Sequence, residues 1–406
     1  MLKSFSWVIL LFALMVRGFG QKAPEKVSAS LCKDYAGYVP YKPEYMPVKR
    51  VRLVLHFFQK NDGSGNLQNI PAHREFINRI INHMNSEFIT SQEMKPYPDS
   101  LKVPILKDKR IRFVVDTILF HRDDSVWNFR ATTVAYNSLT ADSFFDEGEA
   151  HKRAEWMYDK YVRDNSRLPL REKDSAVNIF FIDLGKFDGR GMTAVIGSKR
   201  WIYCAGAYGN WIKDTIHPNH WGPAMILAHE LGHAMGLEHP YDNHQCADLP
   251  FTAKGVTTNL MDGWPNGGNA ITPCQLGTIH YNLSGYYGDI GKAVIRDWCM
   301  YHPDSGMHIT GDTVVFSGSR YLWGDLYIER GTVLIVKCIL SMPPHSDIYI
   351  KKGGVIIVDG GTITNVCGQK WGGIKMEKTK RNKRKPKFKV INGGQILQNS
   401  EPVENE

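Results

Sequence analysis

Between Ala228 and Pro240 the chain reads AHELGHAMGLEHP, which sets His229, Glu230, His233, Gly236 and His239 in the pattern HExxHxxGxxH. On a helix, His229 and His233 are four residues apart, so both rings stand on one face within reach of a single ion. Two imidazoles do not complete a catalytic zinc site, which takes three protein ligands and keeps a fourth position open. A continuing helix would point His239 elsewhere; Gly236 supplies the permissive backbone that ends the helix and turns the chain back toward the ion. Three neutral imidazoles leave the double charge of zinc uncompensated, so a water bound there is acidified toward neutrality and a carbonyl is polarised. Glu230, beside the first ligand, is placed to accept the proton of that water as general base and to pass it to a leaving amine. The spacing assigns no chemical role to Gly232 or Glu238.

The specificity of the pattern lies in its length. With 15 His and 37 Gly in 406 residues, HExxH arises by chance in roughly a few per cent of such chains, and the five-residue pattern in roughly one in ten thousand. An amphipathic core helix with incidental histidines is therefore disfavoured. A zinc site without catalysis would leave Glu230 unexplained, and a zinc hydrolase acting on a non-peptide bond would share the motif.

Helices and strands must hold these residues in place. Val51, Leu53, Leu55 and Phe57 alternate as in a half-buried strand, and Pro71 to Phe88 carries Phe76, Ile77, Ile80, Ile81, Met84 and Phe88 at helical spacing. Arg110 to Phe120 and Val177 to Asp183 read as two more strands, separated by a charged helical segment around Ala150 to Val162. A mixed α/β domain is indicated. From about Met300 the texture changes. DLYIERGTVLIV from Asp325 and DIYIKKGGVIIV from Asp347 align at a spacing of 22 residues. β-branched residues with a Gly at each corner, at a fixed period in this range, suit stacked parallel β-helix coils; two similar hairpins of a β-sandwich are the other reading. KVINGGQIL from Lys389 is a degraded third copy.

Length suggests two or three domains. The amino end has Lys3, ten apolar residues from Trp7 to Val16, then Gly18 and Gly20, which is the pattern of a signal peptide cut near Gly20. No stretch reaches the roughly 18 apolar residues of a transmembrane helix. The expected organisation is a signal peptide (1–20), a leader or short pro-segment (21–47), a catalytic domain (48–299) and a C-terminal domain (300–406), with export to the extracellular space or cell surface. All seven cysteines follow the signal and none forms a CxxC pair, so disulfides are expected with one sulfur left over. The net charge of +9 is localised, because 375–389 holds nine Lys/Arg against Glu377. With the two signal-peptide cations removed the remainder is about neutral, which argues against a nucleic-acid binder. The basic run reads as a loop bulging from one coil, either solvated or facing an anionic glycan or lipid surface.

The extended motif, together with TTNLMDG, in which Met261 lies 22 residues past His239, resembles the metzincin zinc endopeptidases. Within that clan the chain looks closest to the pappalysin (cytophagalysin-like) family, through Cys246, Asp248-Leu249-Pro250, Asn259-Leu260-Met261-Asp262 and Thr272-Pro273-Cys274-Gln275; a matrixin-like assignment stays open. The resemblance covers roughly Val48 to Cys299. It implies an α+β fold, with a mixed five-stranded sheet, long helices and a zinc-site helix, and with Met261 as a hydrophobic floor beneath the three rings. It also implies a Cys246–Cys274 disulfide, and a protein or peptide substrate that adds a strand to the sheet edge built by Val177 to Asp183 and Gly191 to Tyr203. Gly263 and Trp264 depart from the family, where an aromatic, often Tyr, directly follows the Asp. Cys32 lies in the leader, where some metzincins place a thiolate that blocks zinc; a structural disulfide is its other role. His217, His220, His244 and His280 read as exposed or structural. The C-terminal region, including WGGI at Trp371 to Ile374, resembles small β-helices appended to secreted bacterial proteins. Taken together, the expectation is a secreted zinc endopeptidase with one Zn2+ and Glu230 as base. The alternative is a silent or latent protein whose C-terminal domain engages a glycan or protein partner. Whether Ca2+ is also bound is open.

Overall fold

The computed structural model describes residues 32–96, 105–128, 147–183, 190–196, 199–206, 219–263, 268–284, 289–378 and 384–398. The signal peptide with Gly20, the start of the leader, His217, Trp264 and the centre of the basic run lie outside the described residues.

The protein is mixed α/β. Lys49–Gln59 forms β1, the spine of a sheet in which β2 (Ile111–Arg122) lies on one side and β3 (Val177–Asp183) on the other. β5 (Lys199–Gly206) follows β3 in parallel, and β4 (Arg190–Ile196) closes that edge antiparallel to β5. A two-residue strand, β6 (Val294–Ile295), pairs with the start of β1 and brings the sheet to six strands. β1 is not half-buried: every residue from Leu53 to Gln59 is buried, because a parallel central strand is covered on both faces. On one face the helix Pro71–Ile89 buries Phe76, Ile77, Ile80, Ile81, Met84 and Phe88 in a core shared with Leu227 and Leu231 of a second helix, Trp221–Ala234. On the other face Phe58, Phe180 and Trp201 pack on Ala154 and Met157 of the helix Glu147–Tyr158.

A chain of polar rings runs across that second face. His56 Nε2–H donates to Asn178 Oδ1 (3.0 Å), and His56 Nδ1 accepts from His121 Nε2–H (3.0 Å). Burial pushes His56 down to about 3, helped by the charge of His121, and burial pushes His121 down to about 4. Both values lie below the unfolded value of about 6.5. The stability that these neutral rings confer is therefore full above about pH 6.5 and is lost as pH falls through 4 toward 3. The melting temperature is expected to drop steadily between pH 7 and pH 4.5 in scanning calorimetry; equal values at both ends would exclude this linkage.

The C-terminal region lays its strands in three parallel, four-stranded sheets. Each pass of the chain adds one strand to each sheet. The first pass contributes β7 (Met307–Ile309), β8 (Thr313–Phe316) and β9 (Arg320–Tyr321); the second, β10 (Leu326–Ile328), β11 (Val333–Val336) and β12 (Ile339–Ser341). The third contributes β13 (Asp347–Ile350), β14 (Val355–Asp359) and β15 (Thr362–Thr364); the fourth, β16 (Gly373–Met376), β17 (Lys387–Ile391) and β18 (Gln395–Ile396). The aligned repeats stack residue on residue: Tyr327 pairs with Tyr349, and Leu334 with Ile356. Their corner glycines, Gly331 and Gly353, sit at φ of +75° and +76°, where a side chain would be strained. The basic run is shorter as a loop than its charge pattern suggests, since Lys375 and Met376 belong to β16 and Lys387 to Lys389 to β17. Outward-facing strand positions accept lysine as readily as a loop does, and Lys375 pairs with Asp347.

Two disulfides, Cys32–Cys338 and Cys299–Cys367, tie the regions together, and a third, Cys246–Cys274, closes a loop within 48–299. Cys32 is thus a structural partner. The leader from Cys32 onward is wedged beside the C-terminal sheets, with Arg320 Nη2 donating to Val39 O (2.9 Å) and Lys42 Nζ to His308 O (2.6 Å). The odd sulfur is Cys204, buried in β5 outside the three disulfides. Among the described residues no helix is long and apolar enough to cross a membrane.

Candidate metal centre

The helix Trp221–Ala234 packs through Leu227, Ala228, Leu231 and Ala234, all buried. It ends in a hydrogen-bonded reversal. Leu237 N–H donates to Gly232 O (3.0 Å) and Gly236 N–H to His233 O (2.8 Å), with Gly236 at φ +91°. This is the paired 6→1 and 5→2 arrangement that a glycine beyond the helix end permits, and it returns His239 to the face that bears His229 and His233.

The three rings meet edge to edge. Their Nε2 atoms lie 3.1 Å (His229 to His233), 3.2 Å (His229 to His239) and 2.9 Å (His233 to His239) apart. Each ring's other nitrogen is committed. His229 Nδ1–H donates to Leu260 O (3.0 Å), His233 Nδ1–H to Leu237 O (2.7 Å) and His239 Nδ1–H to Asp242 Oδ2 (2.6 Å). A carbonyl or carboxylate oxygen only accepts, so in neutral rings all three protons sit on Nδ1 and three Nε2 lone pairs face one point. Burial, then the neighbouring rings, push His229 down to about 3 and His233 to about 4, which keeps them neutral. No hydrogen bond can join three such lone pairs, whereas a cation can. Tetrahedral zinc with nitrogens at about 2.0–2.1 Å holds them roughly 3.3 Å apart, close to the spacings here. The donor set therefore fits zinc, with oriented outer-shell acceptors already in place.

Glu230 is 5% exposed, and its charge acts on Tyr241, whose ring stacks on His239 at 4.5 Å. Met261 is wholly buried against the helix at Gly232: a Cβ on Gly232 would stand 2.3 Å from Met261 Sδ. That contact explains the glycine, which the spacing of the motif left without a role. The turn carrying Met261 is pinned to the last helix, Pro273–Asn282. Asn259 Nδ2 donates to Gln275 Oε1 (2.8 Å) and Gln275 Nε2 to Asn259 Oδ1 (3.2 Å), while Thr272 and Gln275 form a capping box. Cys246–Cys274 and a bond from Cys274 N–H to Asp248 Oδ2 (2.9 Å) anchor the intervening loop to the same helix end.

In the sequence Asp242 is signalled only by its place three residues after His239, and the carbonyls of Leu237 and Leu260 carry no signal at all. Of the surplus histidines, His280 is buried and donates to Lys109 O (2.9 Å). His220 meets the His83 ring edge-on at 5.4 Å, and His244 is half-buried. Cys246, Asp248 and Cys274 also cluster within metal-binding range, but the two sulfurs are bonded to each other. Neither cluster offers the six to eight oxygens that calcium takes.

No family model matches the chain, and no curated protein matches it.

Proposed function

We propose that the protein is a secreted zinc-dependent endopeptidase of metzincin type, closest to the pappalysins, with a parallel β-helix as its C-terminal domain. The observation that carries this reading is the convergence of three Nε2 lone pairs whose Nδ1 protons are all engaged elsewhere. A zinc ion in that position supplies a Lewis acid for a carbonyl and for water. Glu230 takes one proton from the attacking water as its oxygen bonds to the scissile carbon. It delivers that proton to the amide nitrogen as the C–N bond breaks. β4, the antiparallel edge strand, packs on the helix that bears His229 and His233, so a peptide aligned along that edge would pass the three rings with its backbone hydrogen-bonded.

The test is cleavage of a quenched casein substrate by the purified mature chain, with zinc measured on the same sample. About one zinc per chain is expected, with cleavage stopped by a chelator and restored by added zinc. A chain that holds zinc and cleaves nothing favours the competing reading of a surface-binding protein. One observation speaks for that reading: a polar cleft of about 490 Å³ on the C-terminal sheets, lined by His308, Glu329, Arg330, Lys351 and Glu377, whose balanced charges would suit a glycan held by hydrogen bonds.

A further inference from the structure

We propose that Lys254 is a further catalytic residue, whose ammonium group holds the oxygen of the scissile carbonyl as that oxygen gains negative charge. The inference rests on the protease reading and names a group which that reading does not use. Lys254 lies on the loop between the third histidine and Met261, and the loop is fixed next to it. The Asp262 carboxylate accepts from the N–H groups of Gly255 (2.7 Å), Thr257 (2.7 Å) and Gly263 (2.8 Å) and from Thr257 Oγ1 (2.7 Å). From there the Lys254 stem crosses the backbone of Gly263, where a Cβ would stand 2.8 Å from Lys254 Cε and 3.2 Å from Cγ. Glycine at 263 is what admits the lysine.

The ammonium group ends 5.8 Å from the centre of the Tyr241 ring, which itself stacks on His239. Its charge also acts on His229. Lys254 thus flanks Tyr241, the ring stacked on His239, from the loop side, while Glu230 acts on the same Tyr241 from the helix. The carboxylate of Asp262, tucked into this loop, is occupied by four loop donors. Lys254 is exposed, and a cation that faces an electrophilic site from the solvent side stabilises charge that develops only in the transition state. Lys254 donates a hydrogen bond there and transfers no proton.

The test compares the zinc-loaded parent with Lys254→Met, Lys254→Arg and Gly263→Leu. It measures steady-state kinetics on a quenched peptide, zinc content, and calorimetric binding of a phosphinic peptide, which mimics the tetrahedral oxyanion. Lys254→Met should lower kcat by about 10²-fold, as loss of one oxyanion donor does elsewhere, with KM within about threefold and zinc unchanged. The phosphinate affinity should fall in parallel. Lys254→Arg should recover most of the rate, and Gly263→Leu, by evicting the stem, should reproduce the loss. An active parent whose Lys254→Met variant keeps kcat and phosphinate affinity overturns the assignment, and so does loss of zinc from that variant. A parent that holds zinc but neither cleaves nor binds the phosphinate overturns the protease reading, and this assignment with it.

Discussion

Replacing Glu230 with alanine is expected to lower peptide hydrolysis by at least about 10³-fold, within the range that general acid–base groups contribute, while zinc content stays at the parent level. The separation of the two effects follows from the geometry. Glu230 is no member of the three-nitrogen set, and none of the three Nδ1 acceptors belongs to it. Glu230→Gln should behave alike, keeping the volume but not the basicity. Rate and metal content measured on one preparation check both points. Activity within tenfold of the parent in either variant would show that another group takes the proton.

The meeting of His229, His233 and His239 was legible because its determinants are local. Helix pitch sets His229 and His233 four residues apart, and a glycine at positive φ returns His239, so three residue types at fixed intervals contain the geometry. The outer shell is a different matter. His229 and His233 are oriented by the main-chain oxygens of Leu260 and Leu237, a group that every residue carries, so no side-chain pattern announces them. Gly232 becomes intelligible only when Met261 is seen against it, 29 positions along the chain. In the C-terminal region the second and third passes were visible because their registers keep an offset of 22 residues in two of the three sheets, as in Leu326 opposite Ile348 and Val333 opposite Val355. The first pass escaped notice: it lacks the Asp and Tyr-Ile signature and is offset by 19 or 20 residues, as in Met307 opposite Leu326 and Thr313 opposite Val333. The Cys246–Cys274 bond came from family likeness, whereas Cys32–Cys338 and Cys299–Cys367 could not, since the other five cysteines, one of them left over, still allow 15 arrangements.

Gly232→Ala should reverse the usual sign of a glycine-to-alanine change in a helix. In an open helix interior the substitution stabilises by about 1 kcal/mol through backbone entropy and helix propensity. Here the new methyl group would stand 2.3 Å from Met261 Sδ, in a region where Met261, Leu231 and Ala234 are all essentially inaccessible, so the sulfur must move. Overpacking of this kind costs about 1–3 kcal/mol, which leaves a net destabilisation in urea titrations. The displacement should also reach the metal centre, because Leu260, next to Met261, supplies the oxygen that orients His229. Zinc affinity is then expected to fall by about 10- to 100-fold, the usual effect of disturbing an outer-shell partner. Met261→Ala on its own should destabilise by about 2–5 kcal/mol through its cavity. Combined with Gly232→Ala it should cost less than the sum, with a coupling of at least about 1 kcal/mol, because the methyl group now enters the space that the sulfur left. A Gly232→Ala protein as stable as the parent, or a double variant that is strictly additive, would show that the Met261 side chain is not seated against the helix that carries His229 and His233.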